Sequence, residues 1–107
     1  MVLQEDQEDE VKRFLYKKAF LQAFDRYKES EKNLIISADK QIRHFYLKQT
    51  APYGLRIKKL FERGEEKTFE ARVSDKIRLL YAESEVLIVF AFLGNHEQIR
   101  RYIKSFK

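Results

Sequence analysis

The chain has 107 residues, 44% of them hydrophobic, with 3 Gly, 1 Pro and no Cys. This predicts one globular domain burying roughly two-thirds of its surface, and it excludes a disulfide framework, zinc–thiolate sites and a cysteine nucleophile. The formal charge of +5 hides a split: residues 1–10 hold five acids and no base, so residues 11–107 set all 22 Lys+Arg against 12 acids, a net of +10 that attracts polyanions.

In chain order, residues 1–10 read as a disordered acidic tail and 11–107 as the folded domain. No basic region opens the chain, so a signal peptide is not expected, and the cytoplasm is the expected location. No apolar run nears the ~18 residues of a membrane span, so no membrane partner is expected. Val11, Phe14, Leu15 and Lys18 fit a helical stripe, while Phe14-Leu15-Tyr16 equally fits a first strand. From Ala19 the helical period is clear, with Phe20, Ala23, Phe24 and Tyr27 on one face. Glu29-Ser30-Glu31-Lys32-Asn33 reads as a break. A second helix follows with Ile35, Ala38, Ile42, Phe45 and Tyr46 inward, ending before Pro52.

The period then shortens. Leu55 to Phe61 is a mixed basic and apolar run, and Gly64 marks a turn. Phe69, Ala71 and Val73 alternate with Glu70 and Arg72, as in a half-buried strand. Ser74-Asp75-Lys76 turns the chain into Ile77, Leu79 and Tyr81. Glu83-Ser84-Glu85 turns it again into Val86–Leu93, apolar on both faces and therefore expected to be the central strand. After Gly94, Asn95 and Gln98 form a capping-box pattern for a last helix. Its buried stripe is Ile99, Tyr102, Ile103 and Phe106, and Arg100, Arg101, Lys104 and Lys107 face solvent. The predicted fold is α+β: a small antiparallel curved sheet with two N-terminal helices and one C-terminal helix.

This order resembles the RelE/ParE superfamily of toxins from bacterial type II toxin–antitoxin systems. The resemblance rests on Leu55-Arg56-Ile57-Lys58-Lys59-Leu60, Phe69-Glu70-Ala71-Arg72-Val73 and Ile77-Arg78-Leu79-Leu80-Tyr81. It is completed by an apolar strand running into Gly94-Asn95-His96, with Tyr102 six residues after the histidine. It spans about residues 11–103. What it implies is a RelE-like endonuclease that cuts mRNA at the ribosome without metal or other cofactor and is neutralised by a cognate antitoxin, as a monomer or in a toxin–antitoxin hetero-oligomer. The alternative within the same fold is a non-enzymatic binder: a ParE-like gyrase inhibitor or a catalytically inactive relative. A third reading, independent of the resemblance, is a small basic module that docks on RNA.

By the resemblance, Arg78 stands where the RelE-like nucleases contact the scissile phosphate and Arg72 where they carry a strand Lys or Arg. His96 stands where branches carry Arg or His, and Tyr102 matches a late Tyr. Glu70 departs from the pattern, because lysine-rich members carry Lys there. No acid precedes the first basic strand at Tyr53-Gly54-Leu55, where another branch carries Glu.

Cutting RNA without a metal requires a base for the 2′-hydroxyl, cations for the phosphate and an acid for the leaving 5′-oxygen. Histidine serves as acid or base near neutrality, and arginine forks suit phosphate oxygens. Arg72, Arg78, His96 and Tyr102 are thus the expected catalytic set. Arg56, Lys58, Lys59, Arg100 and Arg101, with Lys104, are the expected RNA-binding cations. An acidic, apolar antitoxin segment would suit this surface, and residues 1–10 are expected to shield it weakly.

Overall fold

The computed structural model describes residues 12–48 and 54–105. The expected acidic tail, Val11, Pro52 and Phe106 lie outside the described residues. Strand β1 is Arg13–Tyr16, followed by helices α1 (Lys18–Asp25) and α2 (Glu29–Lys48). Strands β2 (Lys58–Arg63), β3 (Glu66–Arg72), β4 (Arg78–Glu83) and β5 (Leu87–Gly94) come next, and helix α3 (His96–Lys104) closes the order. The α+β class and the placement of the helices agree with the sequence reading.

The sheet runs β1-β5-β4-β3-β2. The β2, β3, β4 and β5 ladders are antiparallel, as expected of strands joined by short turns. β1 instead joins β5 in parallel, Arg13 opposite Leu87 and Tyr16 opposite Phe90, so the sheet is mixed rather than antiparallel throughout. Strand direction at that edge is set by a connection through α1, α2 and three strands, which alternation within Phe14-Leu15-Tyr16 cannot report. β5 is interior, as its two apolar faces require, but β4 holds the middle position. Val86, 62% exposed, belongs to the β4–β5 turn.

Helix α2 begins earlier than expected. The segment Glu29–Asn33 forms its first turns, and the break lies at Arg26–Lys28. Glu29 and Glu31 stand in the first turn, where a carboxylate complements the helix dipole. Glu31 Oε1 also accepts from the Lys28 N–H at 3.1 Å, satisfying a donor at the helix start. Ile35, Ala38 and Ile42 then face the sheet, all buried.

The core lies between these two helices and one face of the sheet. Phe20, Ile35, Ala38 and Ile42 meet Ala71, Leu79, Tyr81, Ile88, Phe90 and Leu93 there. Phe90 is its aromatic hub, with ring centroids 4.8 Å from Tyr16, 5.9 Å from Phe20, 6.1 Å from Tyr81 and 6.3 Å from Phe14. Two polar ties fasten α2 over it. The Tyr16 hydroxyl donates to Asp39 at 2.6 Å, and the Tyr46 hydroxyl donates to Glu83 at 2.8 Å. Burial above all, with those carboxylates, pushes both phenols above their ordinary range. Among the described residues the opposite face is covered only by α3, over a smaller cluster of Leu80, Ala91 and Ile99. Among the described residues no helix is long and apolar enough to cross a membrane.

Candidate functional site

Three strands end in one row. Arg72 is the last residue of β3, Arg78 the first of β4 and Gly94 the last of β5. In register, Arg72 stands opposite Arg78 and Arg78 opposite Gly94. The tight β3–β4 turn sets this alignment. The Val73 N–H donates to the Ile77 carbonyl at 2.9 Å, and Ser74 Oγ accepts from the Ile77 N–H at 3.2 Å.

The glycine in the row is required by close approach. A Cβ there would lie 2.9 Å from both Cβ and Oε1 of Gln98. That glutamine closes the predicted capping box: Asn95 Oδ1 accepts from the Gln98 N–H and Gln98 Oε1 accepts from the Asn95 N–H, each at 2.8 Å. The box fixes the start of α3, and with it His96, its first residue. The β4–β5 register and the cap at Asn95 together bring the histidine to the end of that row.

Like charges directly opposite one another in a ladder repel. The structure compensates with Glu70, two residues before Arg72 and therefore on its face. Arg78 Nη1 lies 3.5 Å from Glu70 Oε1, with side chains 20% and 7% exposed respectively. Lys58, exposed, sits directly across from Glu70 on β2.

Arg78 and His96 line one depression of about 600 Å³, together with Tyr27, Glu31, Asp75 and Glu97. Burial first, and then the Glu31 carboxylate, raises the Tyr27 phenol above its ordinary value. An adjoining depression of about 300 Å³ is lined by His96, Glu97, Arg100, Arg101 and Lys104. His96 therefore stands on the rim between the depression that Arg78 shares with three carboxylates and a basic track along α3. Among the described residues, no group of three or more His, Cys, Asp or Glu side chains is placed to hold a metal ion.

The expected site residues thus divide. Arg78, His96, Arg100 and Arg101 converge on these two depressions. Arg72, half-buried, adjoins Arg78 in the ladder without lining either one. Its N–H donates to the Leu55 carbonyl at 2.6 Å, which brings the neighbouring Arg56, exposed and at φ 46°, to the same end of the sheet. Tyr102 is elsewhere. Its ring stacks on Phe92 at 4.4 Å and 2°, and it lines a separate apolar cavity with Leu80, Ala91 and Ile103. Lys58 and Lys59 fall on opposite faces, opposite Glu70 and Phe69 respectively, so they cannot line one groove. Lys59 is engaged by Glu62 at 2.6 Å, and this bond holds the Glu62 carboxyl below its usual range. Tyr27, Glu31 and Glu97 escaped the sequence reading. Tyr27 and Glu31 belong to the α1–α2 corner, and no local pattern ties that corner to the β3–β4 turn.

No protein-family model matches the sequence, and no curated protein matches it. Solved structures do. A RelE–RelB complex from Pyrococcus horikoshii matches at 16% identity and a TM-score of 0.63, over 79% of this chain and 94% of that one. The E. coli DinJ–YafQ toxin–antitoxin complex matches at 13% and 0.65, over 83% and 97%. A toxin from Helicobacter pylori matches at 17% and 0.56, over 81% and 97%. The chain has the fold of the RelE and YafQ toxins.

Proposed function

We propose that the chain is the toxin of a type II toxin–antitoxin pair, and that residues 11–107 act as one RelE-like, metal-independent endonuclease domain on mRNA at the ribosome. The observation that carries this reading is the row Arg72–Arg78–Gly94 with His96 at its end. Arg78 and His96 line one open depression, which supports a phosphate-binding fork beside a proton-transfer group.

The chemistry follows from those parts. The 2′-oxygen attacks phosphorus, the bond to the 5′-oxygen breaks, and a 2′,3′-cyclic phosphate and a 5′-hydroxyl result. Arg78 binds the non-bridging oxygens as charge builds on them, and Arg72 adds to the field from the next strand. His96, as imidazolium, delivers its proton to the leaving 5′-oxygen. The carboxylates of Asp75 and Glu97, in the lining of the same depression, are the acceptors for the 2′-hydroxyl proton. Arg100, Arg101 and Lys104 carry the adjoining backbone. Tyr102 supports α3 through its stack on Phe92. The neighbours solved with RelB or DinJ support an antitoxin partner, and an acidic, apolar segment suits this basic end.

The test is expression in growing cells with primer extension on cellular mRNA. The parent protein should arrest growth and cut mRNA. Arg78→Ala should lose both, and His96→Ala should lose cutting while still binding RNA. A parent that neither arrests growth nor cuts mRNA would sink the reading, as would an Arg78→Ala variant as active as the parent. Inhibition of supercoiling without mRNA cutting would favour the gyrase-inhibitor alternative instead.

A further inference from the structure

We infer that Glu70 is a positioning residue for Arg78: its buried carboxylate aims the guanidinium at the His96 depression, at the expense of phosphate affinity. This rests on the phosphate-cleaving reading of that depression.

Glu70 is the one buried acid among the described residues. A carboxylate is costly to desolvate and persists in such a place only where cations surround it. Here Lys58 lies across the ladder, Arg72 follows on the same face, and Arg78 is 3.5 Å away. With its side chain only 7% exposed, Glu70 is less accessible to a 2′-hydroxyl than the exposed Asp75 and Glu97, which suits positioning better than proton transfer. What it touches is the cation that lines the depression. The ion pair to Nη1 at 3.5 Å leaves the other guanidinium N–H groups of Arg78, which have no partner among the described residues, to fork onto a phosphate. A tethered guanidinium loses less freedom on binding than an untethered one, so each encounter begins nearer the productive geometry. The same carboxylate cancels one unit of positive charge in the cluster, which weakens attraction for RNA. Aim and affinity therefore move in opposite directions when Glu70 changes.

The deciding variant is Glu70→Gln, which keeps the shape and removes the charge. Its binding to a 2′-deoxy-blocked, uncleavable RNA should tighten by about 3- to 10-fold at low salt, with the salt slope steeper by about 0.7. Single-turnover cleavage at saturating RNA should fall by roughly 10- to 100-fold. The Arg78 Nε–Hε signal in nuclear magnetic resonance should be ordered in the parent and mobile in the variant. A purely structural role would not tighten binding while slowing the step, so parent-like binding and cleavage in Glu70→Gln overturn the inference. If that variant does not fold, Glu70→Asp decides, because it keeps the charge and retracts it by one methylene. Parent-like affinity with slower cleavage supports the inference, and parent-like behaviour in both overturns it. If the parent cuts no RNA, the functional reading fails on its own. The Arg78 signal and the affinity change still judge Glu70: a mobile guanidinium with tighter RNA binding upholds the tether, and no change in either refutes it.

Discussion

The two faces of the sheet solve different problems with the same strands. Along β3, Phe69 and Ala71 turn to the helix-covered face and pack against Tyr81 and Leu79, while Thr68, Glu70 and Arg72 turn to the other. The first face is closed by α1 and α2 with apolar and aromatic side chains. The second is covered, among the described residues, only where α3 lies, and beyond the start of that helix it carries charge: Glu70, Arg72, Arg78 and Lys58. Stability is concentrated on one side of a single layer and the strand-end charge on the other, and the depression of Arg78 and His96, which Tyr27 and Glu31 also line, lies where the two meet. A change on one face should therefore leave the other's property largely intact.

The largest expected effect comes from breaking the closed face. Phe90→Ala removes the ring that meets Phe14, Tyr16, Phe20 and Tyr81, and should cost about 3–5 kcal/mol. For a domain of this size that is a large share of the whole. Urea denaturation should show a lower midpoint with an unchanged slope, and the folded fraction should bind RNA as the parent does. A smaller effect should follow at the junction of the two faces. Gly94→Ala forces a methyl against Gln98 Cβ, and should cost about 1–3 kcal/mol through overpacking and a loosened cap. Here stability and cleavage should fall together, because the cap that holds α3 also holds His96. Stability lost with cleavage retained would separate the histidine from the cap. The finest contrast uses adjacent residues. Lys58→Ala should reduce the salt slope of RNA binding by about 0.7, while Lys59→Ala, on the helix face and paired with Glu62, should leave it unchanged. Equal slopes for the two variants would erase the distinction between the faces.

How much of this was legible in the sequence depends on the range of each signal. The hairpins showed through alternation at Phe69-Ala71-Val73 and Ile77-Leu79-Tyr81, and the last helix through Asn95 and Gln98, all local patterns. Arg78 and His96 were reachable because short turns carry local spacing into space. The parallel edge was not legible, since nothing in Arg13–Tyr16 encodes the direction of a partner far along the chain. The start of α2 was misplaced because Glu29-Ser30-Glu31 has the composition of a break as well as that of a first helical turn. The burial of Glu70 was hidden for a related reason. Alternation put it on the less apolar face, but its depth depends on Lys58 and Arg78 arriving from two other strands. Lys58 and Lys59 looked equivalent as a basic run, although alternation already assigned them to opposite faces.

The pairing of the first strand with the last has a consequence for synthesis. The Lys12 ammonium donates to the Ser84 carbonyl, 72 positions away, and β1 has no ladder partner until β5 exists. At typical elongation rates that interval lasts roughly 4–14 s. Throughout it, α1 and α2 have no finished sheet to cover, and the strand ends bearing Arg72 and Arg78 and the helix start bearing His96 are unassembled or unmade. Long-range closure of this kind is slow compared with local structure. The nascent chain therefore acquires its core and its charged face together, late, and only once β5 has been made.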